Sequence, residues 1–162
     1  VISTLPSWSG LFRMETPSQM ADLLQLAGIT LDATASSREE AVRICGSLLV
    51  DLGAVSSEYA EAMWEREQIF PSELGDGFAI PHGTDESRQF VNFDQLVFVR
   101  FTTPVTWVNE EISVCVGIAS QGDGHVEILG NLADLLMDEA SAHTLRTTSD
   151  AEVIRDLILK GA

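Results

Sequence analysis

Residues 96–101 constrain the fold more than any other part of the chain, because five of these six residues are apolar. Such a run predicts a central strand that is covered on both faces. Residues 112–119 alternate bulky with small side chains, which predicts a second strand with one bulky face and one small face. The small face allows a helix to pack close to it. Residues 103–108, which contain Pro104 and Trp107, are predicted to form a separate edge strand.

Helical patterns are interleaved with these strands. Ser37 and Glu40 form a capping box ahead of apolar residues at helical spacing. A second helix is predicted over about residues 57–70, and another begins at His125. Residues 29–33 alternate as a strand does, and residues 78–80 form a short apolar strand. The pattern predicts an α/β sandwich, in which helices flank both faces of a small mixed β-sheet of about five strands.

Length and charge limit the classes of function. The chain of 162 residues suits one domain, with residues 1–28 predicted as an N-terminal arm and helix ahead of a main unit at 29–162. A net charge of −16 argues against nucleic acid and anionic membranes as partners, and suits a basic protein. No apolar run approaches the ~18 residues of a membrane span, and the first residues of the given sequence show no signal-peptide pattern. Two cysteines in apolar stretches, Cys45 and Cys115, predict buried thiols, which favours the cytoplasm.

His82 is the first candidate for chemistry. Gly75 and Gly77 allow a tight turn before the 78–80 strand, and Pro81 ends that strand. His82 follows on a shaped piece of backbone, and Gly83 leaves room for a ligand to come close. Histidine suits nucleophilic or proton chemistry near neutral pH. The alternative is a loop histidine without a role, which is the commoner case for a lone histidine.

His125 and Arg66 are further candidates. His125 follows the turn after the 112–119 strand, so both histidines emerge at strand ends, where α/β sheets bind ligands. It also opens a helix, whose N-terminus favours a bound anion. Arg66 lies on the same helical stripe as Tyr59 and Met63, so it needs an anionic partner. That partner is either a carboxylate in a salt bridge or a transient phosphate, and the residues alone favour neither.

Other chemistries fit the sequence less well. There is no phosphate-binding GxxxxGK[ST] loop and no Gly-x-Ser-x-Gly elbow. The histidines lack the spacing to cysteine or carboxylate side chains that a zinc site needs, so no metal is expected. His143 lies on a short polar helix and is predicted to be a surface residue.

Several short motifs resemble the mannitol/fructose class of enzyme IIA, a component of the bacterial sugar phosphotransferase system. They come in the order and spacing of that family, and the resemblance covers roughly residues 29–159. The motifs are 66–67 (Arg-Glu), 74–77 (Leu-Gly-Asp-Gly), 79–84 (Ala-Ile-Pro-His-Gly-Thr), 116–119 (Val-Gly-Ile-Ala), His125 and 145–148 (Leu-Arg-Thr-Thr).

The resemblance implies a phosphotransferase that works through a phosphohistidine and needs no cofactor. The phosphocarrier protein HPr would donate the phosphoryl group to His82, which would pass it to a cysteine of enzyme IIB during uptake of a mannitol- or fructose-type sugar. Arg66 would neutralise the phosphoryl oxygens, and His125 would orient His82 or bond the phosphate. Thr84 would donate a hydrogen bond beside Gly83. Residues 29–162 would then be the enzyme IIA phosphotransfer domain.

The chain departs from the family pattern just before His125. Mannitol-type members usually have Ala-Arg there, and this chain has Ser120 and Gln121, so a loop cation is lost. Two alternative functions stay open. One is a regulatory enzyme IIA-like module, phosphorylated on His82, that controls a transcription regulator or a kinase. The other is a structural domain in which His82 is idle.

Overall fold

The computed structural model describes residues 23–122 and 124–161, and for residues 124 and 125 it describes the backbone only. Most of the predicted arm and helix at residues 1–28 therefore lies outside the described residues. The division of the chain between residues 28 and 29 stays a prediction.

A mixed sheet of five strands forms the centre of the described chain. The strands are β1 (Ile29–Ala33), β2 (Glu73–Gly75), β3 (Phe78–Ala79), β4 (Gln95–Thr106) and β5 (Glu111–Ala119). Their order across the sheet is β1-β4-β5-β3-β2. The β1–β4 and β3–β5 pairs are parallel, and the β4–β5 and β2–β3 pairs are antiparallel. The predicted small mixed sheet is therefore confirmed.

Helices cover both faces of this sheet. They are α1 (Arg38–Asp51), α2 (Ser57–Ile69), α3 (Gly124–Met137), α4 (Glu139–Thr147) and α5 (Ala151–Gly161), and two short 3-10 helices span Leu26–Gly28 and Glu86–Phe90. Ser37 caps α1 as predicted, since its Oγ accepts a hydrogen bond from Glu40 N at 3.1 Å. Within the described residues, no helix has both the length and the apolar character that crossing a membrane requires.

Side chains of β4 divide the core into two layers. Val97 and Val99 pack with α1 and α2 in one apolar cluster. Leu96 and Phe98 point to the other face and pack with α3, α4 and α5. All four side chains are fully buried, which is why this segment reads as a continuous apolar run. The predicted α/β sandwich is confirmed by this arrangement.

One strand prediction is wrong. Residues 103–108 do not form a separate edge strand, because β4 continues to Thr106 and pairs with β5 over residues 95–100 and again at Val105 and Thr106. The pairing register shifts between Arg100 and Val105, and Pro104 lies in that interval. Proline has no N–H to donate, so it is tolerated where the ladder is interrupted.

The small face of β5 brings α1 close to the sheet, as predicted. A Cβ atom on Gly117 would lie 2.8 Å from Val97 Cγ2 and 3.0 Å from Cys45 Cβ. Gly130 on α3 is the opposite case, because a Cβ atom there would have no neighbour within 4 Å.

This contrast gives a matched pair of glycine variants. Gly117→Ala should lower the free energy of unfolding by about 1–3 kcal/mol, because it forces α1 and β4 apart. Gly130→Ala should raise it by roughly 0.5–1 kcal/mol, because it removes glycine entropy from a helix. Urea denaturation measures both. A tolerated Gly117→Ala would show that α1 does not pack tightly on β5.

Candidate functional site

Backbone pairing holds His82 beside the end of β5. His82 forms an isolated parallel bridge with Ile118, in which Ile118 N donates to Pro81 O at 3.0 Å. The chain reaches this point directly from β3, the neighbour of β5 in the sheet. His82 therefore lies beyond the carboxyl end of a strand, where the sequence predicted a site.

The neighbouring carbonyl determines which nitrogen of His82 carries the proton. Nδ1 of His82 lies 2.8 Å from Ile80 O. A carbonyl oxygen can only accept a hydrogen bond, so we assign the proton of the neutral ring to Nδ1. The lone pair then belongs to Nε2, which makes Nε2 the nucleophilic atom.

Tyr59 attaches the His82 loop to the body of the protein. Its hydroxyl donates to Ile118 O at 2.7 Å and accepts from Gly83 N at 2.9 Å. Burial raises the pKa of Tyr59 to about 12, although the bond from Gly83 and the charges of Arg88 and Arg66 act in the opposite direction. The hydroxyl therefore keeps its proton at neutral pH and remains a donor.

Gly83 and Thr84 shape the backbone after His82. A Cβ atom at position 83 would lie 2.5 Å from Ser87 Oγ and 2.6 Å from a Tyr59 ring carbon, so only glycine fits. Thr84 O accepts from Ser87 Oγ at 2.7 Å, and Thr84 Oγ1 accepts from Ser87 N at 3.2 Å. These bonds begin the 3-10 helix at Glu86–Phe90. Because the Thr84 hydroxyl accepts the bond from Ser87 N, its own proton remains available to donate to another group.

A small cavity of about 10 Å³ lies beside His82. A volume of about 10–15 Å³ is enough for one water molecule, and therefore for one oxygen atom of a ligand. It is lined by Tyr59, His82, Gly83, Thr84, Asp85, Arg88, Ile118, Ser120 and Leu129. The structure thus brings three of the predicted site residues together, namely His82, Gly83 and Thr84.

The other two predicted residues are placed differently. Arg66 does not line the cavity, since its Nη1 donates to Phe70 O at 2.8 Å and its guanidinium lies over the exposed Phe70 ring. Within the described part of the chain, Arg66 forms no salt bridge with a carboxylate. The backbone of His125 lies in the first turn of α3, and its side chain is outside the described residues.

Sequence reasoning did not assign Tyr59, Arg88 or Ser120 to the site. Arg88 lies in the short 3-10 helix after His82, and its Nη2 forms an ion pair with Asp85 Oδ1 at 2.9 Å. The signal that was available is a cation six residues after the candidate nucleophile. Ser120 is the position at which the chain departs from the family pattern, and that departure was itself a signal.

Gln121, which stands where the family pattern has arginine, anchors the loop after β5. Its side-chain amide donates to Val91 O at 2.9 Å and to Asn92 O at 3.1 Å, and its backbone N–H donates to Asp94 Oδ1. The residue therefore fastens the loop after β5 to the segment before β4.

Across residues 23–122 and 124–161, no cluster of three or more potential ligands is placed to hold a metal ion.

The chain is similar to curated proteins and to solved structures. It is 35% identical over 132 residues to the mannitol-specific phosphotransferase enzyme IIA component of Halalkalibacterium halodurans, an alignment that covers 82% of this chain and 91% of that protein. A nuclear magnetic resonance structure of a complex of enzyme IIA-Mtl and phosphorylated enzyme IIB-Mtl from Escherichia coli matches with a TM-score of 0.78 and 31% identity, covering 85% of this chain and 99% of that chain.

A regulatory protein is also similar. The crystal structure of the nitrogen regulatory protein IIA-Ntr from Neisseria meningitidis has a TM-score of 0.74 and 26% identity, covering 86% of this chain and 98% of that chain. Residues 22–161 match the family described as "Phosphoenolpyruvate-dependent sugar phosphotransferase system, EIIA 2". The chain therefore belongs to this EIIA 2 family, and it is a phosphoryl-transfer component of the sugar phosphotransferase system.

Proposed function

We propose that this protein carries a phosphoryl group on Nε2 of His82 during the uptake of mannitol. The single observation that carries the proposal is the contact of 2.8 Å between His82 Nδ1 and Ile80 O, because it leaves the lone pair on Nε2. The choice of sugar rests on the names of two relatives. The Halalkalibacterium halodurans protein is named as mannitol-specific, and the Escherichia coli enzyme carries the abbreviation Mtl. We therefore propose mannitol rather than fructose as the sugar.

The first transfer accepts the group from HPr. The lone pair of His82 Nε2 attacks the phosphorus of the phosphohistidine of HPr, a nitrogen–phosphorus bond forms, and the donor nitrogen keeps the electron pair of the broken bond. The proton on His82 Nδ1 stays against Ile80 O throughout. Such an exchange between two nucleophiles depends on positioning and charge stabilisation. The charge of −16 supports a basic partner for this step.

The second transfer passes the group to enzyme IIB. A cysteine thiolate attacks the phosphorus, a sulfur–phosphorus bond forms, and the electron pair of the broken bond returns to His82 Nε2. The relative of known structure that is in complex with phosphorylated enzyme IIB supports this partner. The free, buried thiols of Cys45 and Cys115 support a reducing compartment, and we assign the chemistry to the cytoplasm.

Positive charge and hydrogen-bond donors are needed where the phosphate carries about two negative charges. We assign charge stabilisation to Arg88, which lines the cavity, and to Arg66, whose charge acts on Tyr59. Arg66 must release Phe70 O to reach the phosphate. His125 assists His82 from the first turn of α3, and Thr84 donates its hydroxyl proton beside Gly83. In this proposal the phosphotransfer domain spans residues 29–162.

A regulatory role is the second candidate. The similarity to the nitrogen regulatory protein IIA-Ntr favours it, because that protein shares the fold at 26% identity. His82 would be phosphorylated in the same way, and the phosphorylated protein would control a transcription regulator or a kinase. Transfer from phospho-His82 to a cysteine of enzyme IIB separates the two functions, because only the transport role requires it.

Incubation with phosphoenolpyruvate, enzyme I and HPr should add one phosphate to the protein, measured by intact mass. The adduct should be labile in acid and stable in base, as a nitrogen–phosphorus bond is. His82→Ala should take up no phosphate while keeping its circular dichroism spectrum. Undiminished labelling of His82→Ala would remove His82 from the proposal.

Removing Arg66 should slow phosphorylation without unfolding the protein, because its side chain bonds only the exposed end of α2. Loss of a charge-stabilising donor typically costs on the order of 10²–10³ in rate. Arg88→Ala should slow the reaction on the order of 10²-fold. The matched control is Arg43→Ala, which removes the same charge from ion pairs with Glu39 and Glu61 on α1 and α2. Equal rates for Arg66→Ala and Arg43→Ala would exclude Arg66 from the site.

His125→Ala should still be phosphorylated at His82, but roughly tenfold more slowly, the effect of losing one hydrogen bond to a charged group. His143→Ala serves as the control, since His143 is an exposed histidine on α4. Stopped reactions analysed by intact mass give the rates. A rate for His125→Ala that equals that of His143→Ala would place His125 outside the site.

A further inference from the structure

We propose that the hydroxyl of Ser120 donates a hydrogen bond to a phosphoryl oxygen on His82 and so stabilises the phosphorylated form of the protein. The proposal deepens the function above and rests on it. It assigns a phosphoryl-binding role to a residue that the sequence marks only as a departure from the family pattern.

Burial of the Ser120 hydroxyl is the first observation. Ser120 follows β5 directly and is only 4% exposed. Its Oγ is buried and has no hydrogen-bond partner among the described residues. A buried hydroxyl without a partner costs free energy, and native proteins rarely keep one without a reason.

The position of Ser120 supplies such a reason. Ser120 lines the small cavity together with His82, Gly83 and Thr84. It lies two residues beyond Ile118, which forms the backbone bridge with His82. Because side chains alternate along an extended chain, residues two apart point to the same side. The cavity of about 10 Å³ is too small for a whole phosphoryl group but has room for one of its oxygens.

Phosphorylation of His82 adds negative charge and hydrogen-bond acceptors beside the cavity. The neutral imidazole of His82 gains a group with about two negative charges and three acceptor oxygens. The hydroxyl of Ser120 donates no hydrogen bond to any described group, so its proton is available for a phosphoryl oxygen. Relative to the described residues, it therefore gains a partner only in the phosphorylated form, and a bond present in one form alone shifts the equilibrium toward that form.

The change to alanine therefore has opposite consequences for the two forms. In the unmodified protein, Ser120→Ala removes a buried hydroxyl that no described residue pairs, so its stability in urea should equal or exceed that of the wild type. In the phosphorylated protein, it removes a bond to a charged group. The equilibrium constant for transfer from HPr should then fall about tenfold.

The experiment mixes phosphorylated protein with unmodified HPr and measures both phosphorylated fractions at equilibrium by intact mass. The variants are Ser120→Ala and Ser120→Cys. The thiol is larger than the hydroxyl and a weaker donor, so Ser120→Cys should fall between wild type and alanine. The control is Ser113→Ala, which removes a hydroxyl near the other end of β5 and should match the wild type. The phosphorus-31 resonance of phospho-His82 should shift in Ser120→Ala and stay in place in Ser113→Ala.

The outcomes separate this inference from the proposed function. If the wild type takes up no phosphate, both are overturned. If the wild type is phosphorylated and Ser120→Ala matches it in equilibrium constant and phosphorus resonance, only the role of Ser120 falls. A Ser120→Ala protein that is clearly less stable than the wild type before phosphorylation also overturns it, because the hydroxyl then serves the unmodified fold.

Discussion

The hydroxyl of Tyr59 is the contact on which the geometry of the site depends. It reaches from α2 to two backbone groups, Ile118 O at the end of β5 and Gly83 N just after His82. Tyr59 is 3% exposed, so without its hydroxyl Ile118 O would lose this partner in a buried place, and the half-buried Gly83 N would lose its acceptor. One side chain thus joins α2, the carboxyl end of the central strand β5 and the loop that carries His82.

A buried carboxylate holds the same loop from its other side. Glu67, 1% exposed, accepts hydrogen bonds from Ser72 N and Oγ and from Trp107 Nε1. Ser72 O in turn accepts from Ile80 N at 3.0 Å. The residues on either side of His82 are therefore fixed before any partner arrives. Prior positioning of this kind lowers the entropic cost of the transfer step.

Local patterns in the sequence predicted the elements well and their contacts less well. β1 was predicted at its observed bounds, because alternation and the following cap are visible within a few residues. The sequence predicted that one strand ends at residue 101 and another begins at residue 103, but β4 runs through both. It stays one strand past Pro104 because it pairs with β5 again at Val105, and this pairing is not visible in the local sequence. Arg88 and Ser120 were missed because they meet His82 through the fold, and a one-dimensional pattern does not report which loops converge. The position of His82 just beyond a strand end was predictable, because glycine, proline and a short apolar strand shape its surroundings in sequence.

The acceptor that selects the tautomer of His82 belongs to the main chain. Ile80 supplies a carbonyl oxygen, and every amino acid at that position would supply the same atom. Point substitutions can alter the packing of position 80, but they cannot delete its acceptor. The tautomer of the His82 ring is therefore set by the path of the backbone, and substitutions of the surrounding side chains that keep this path leave the lone pair on Nε2.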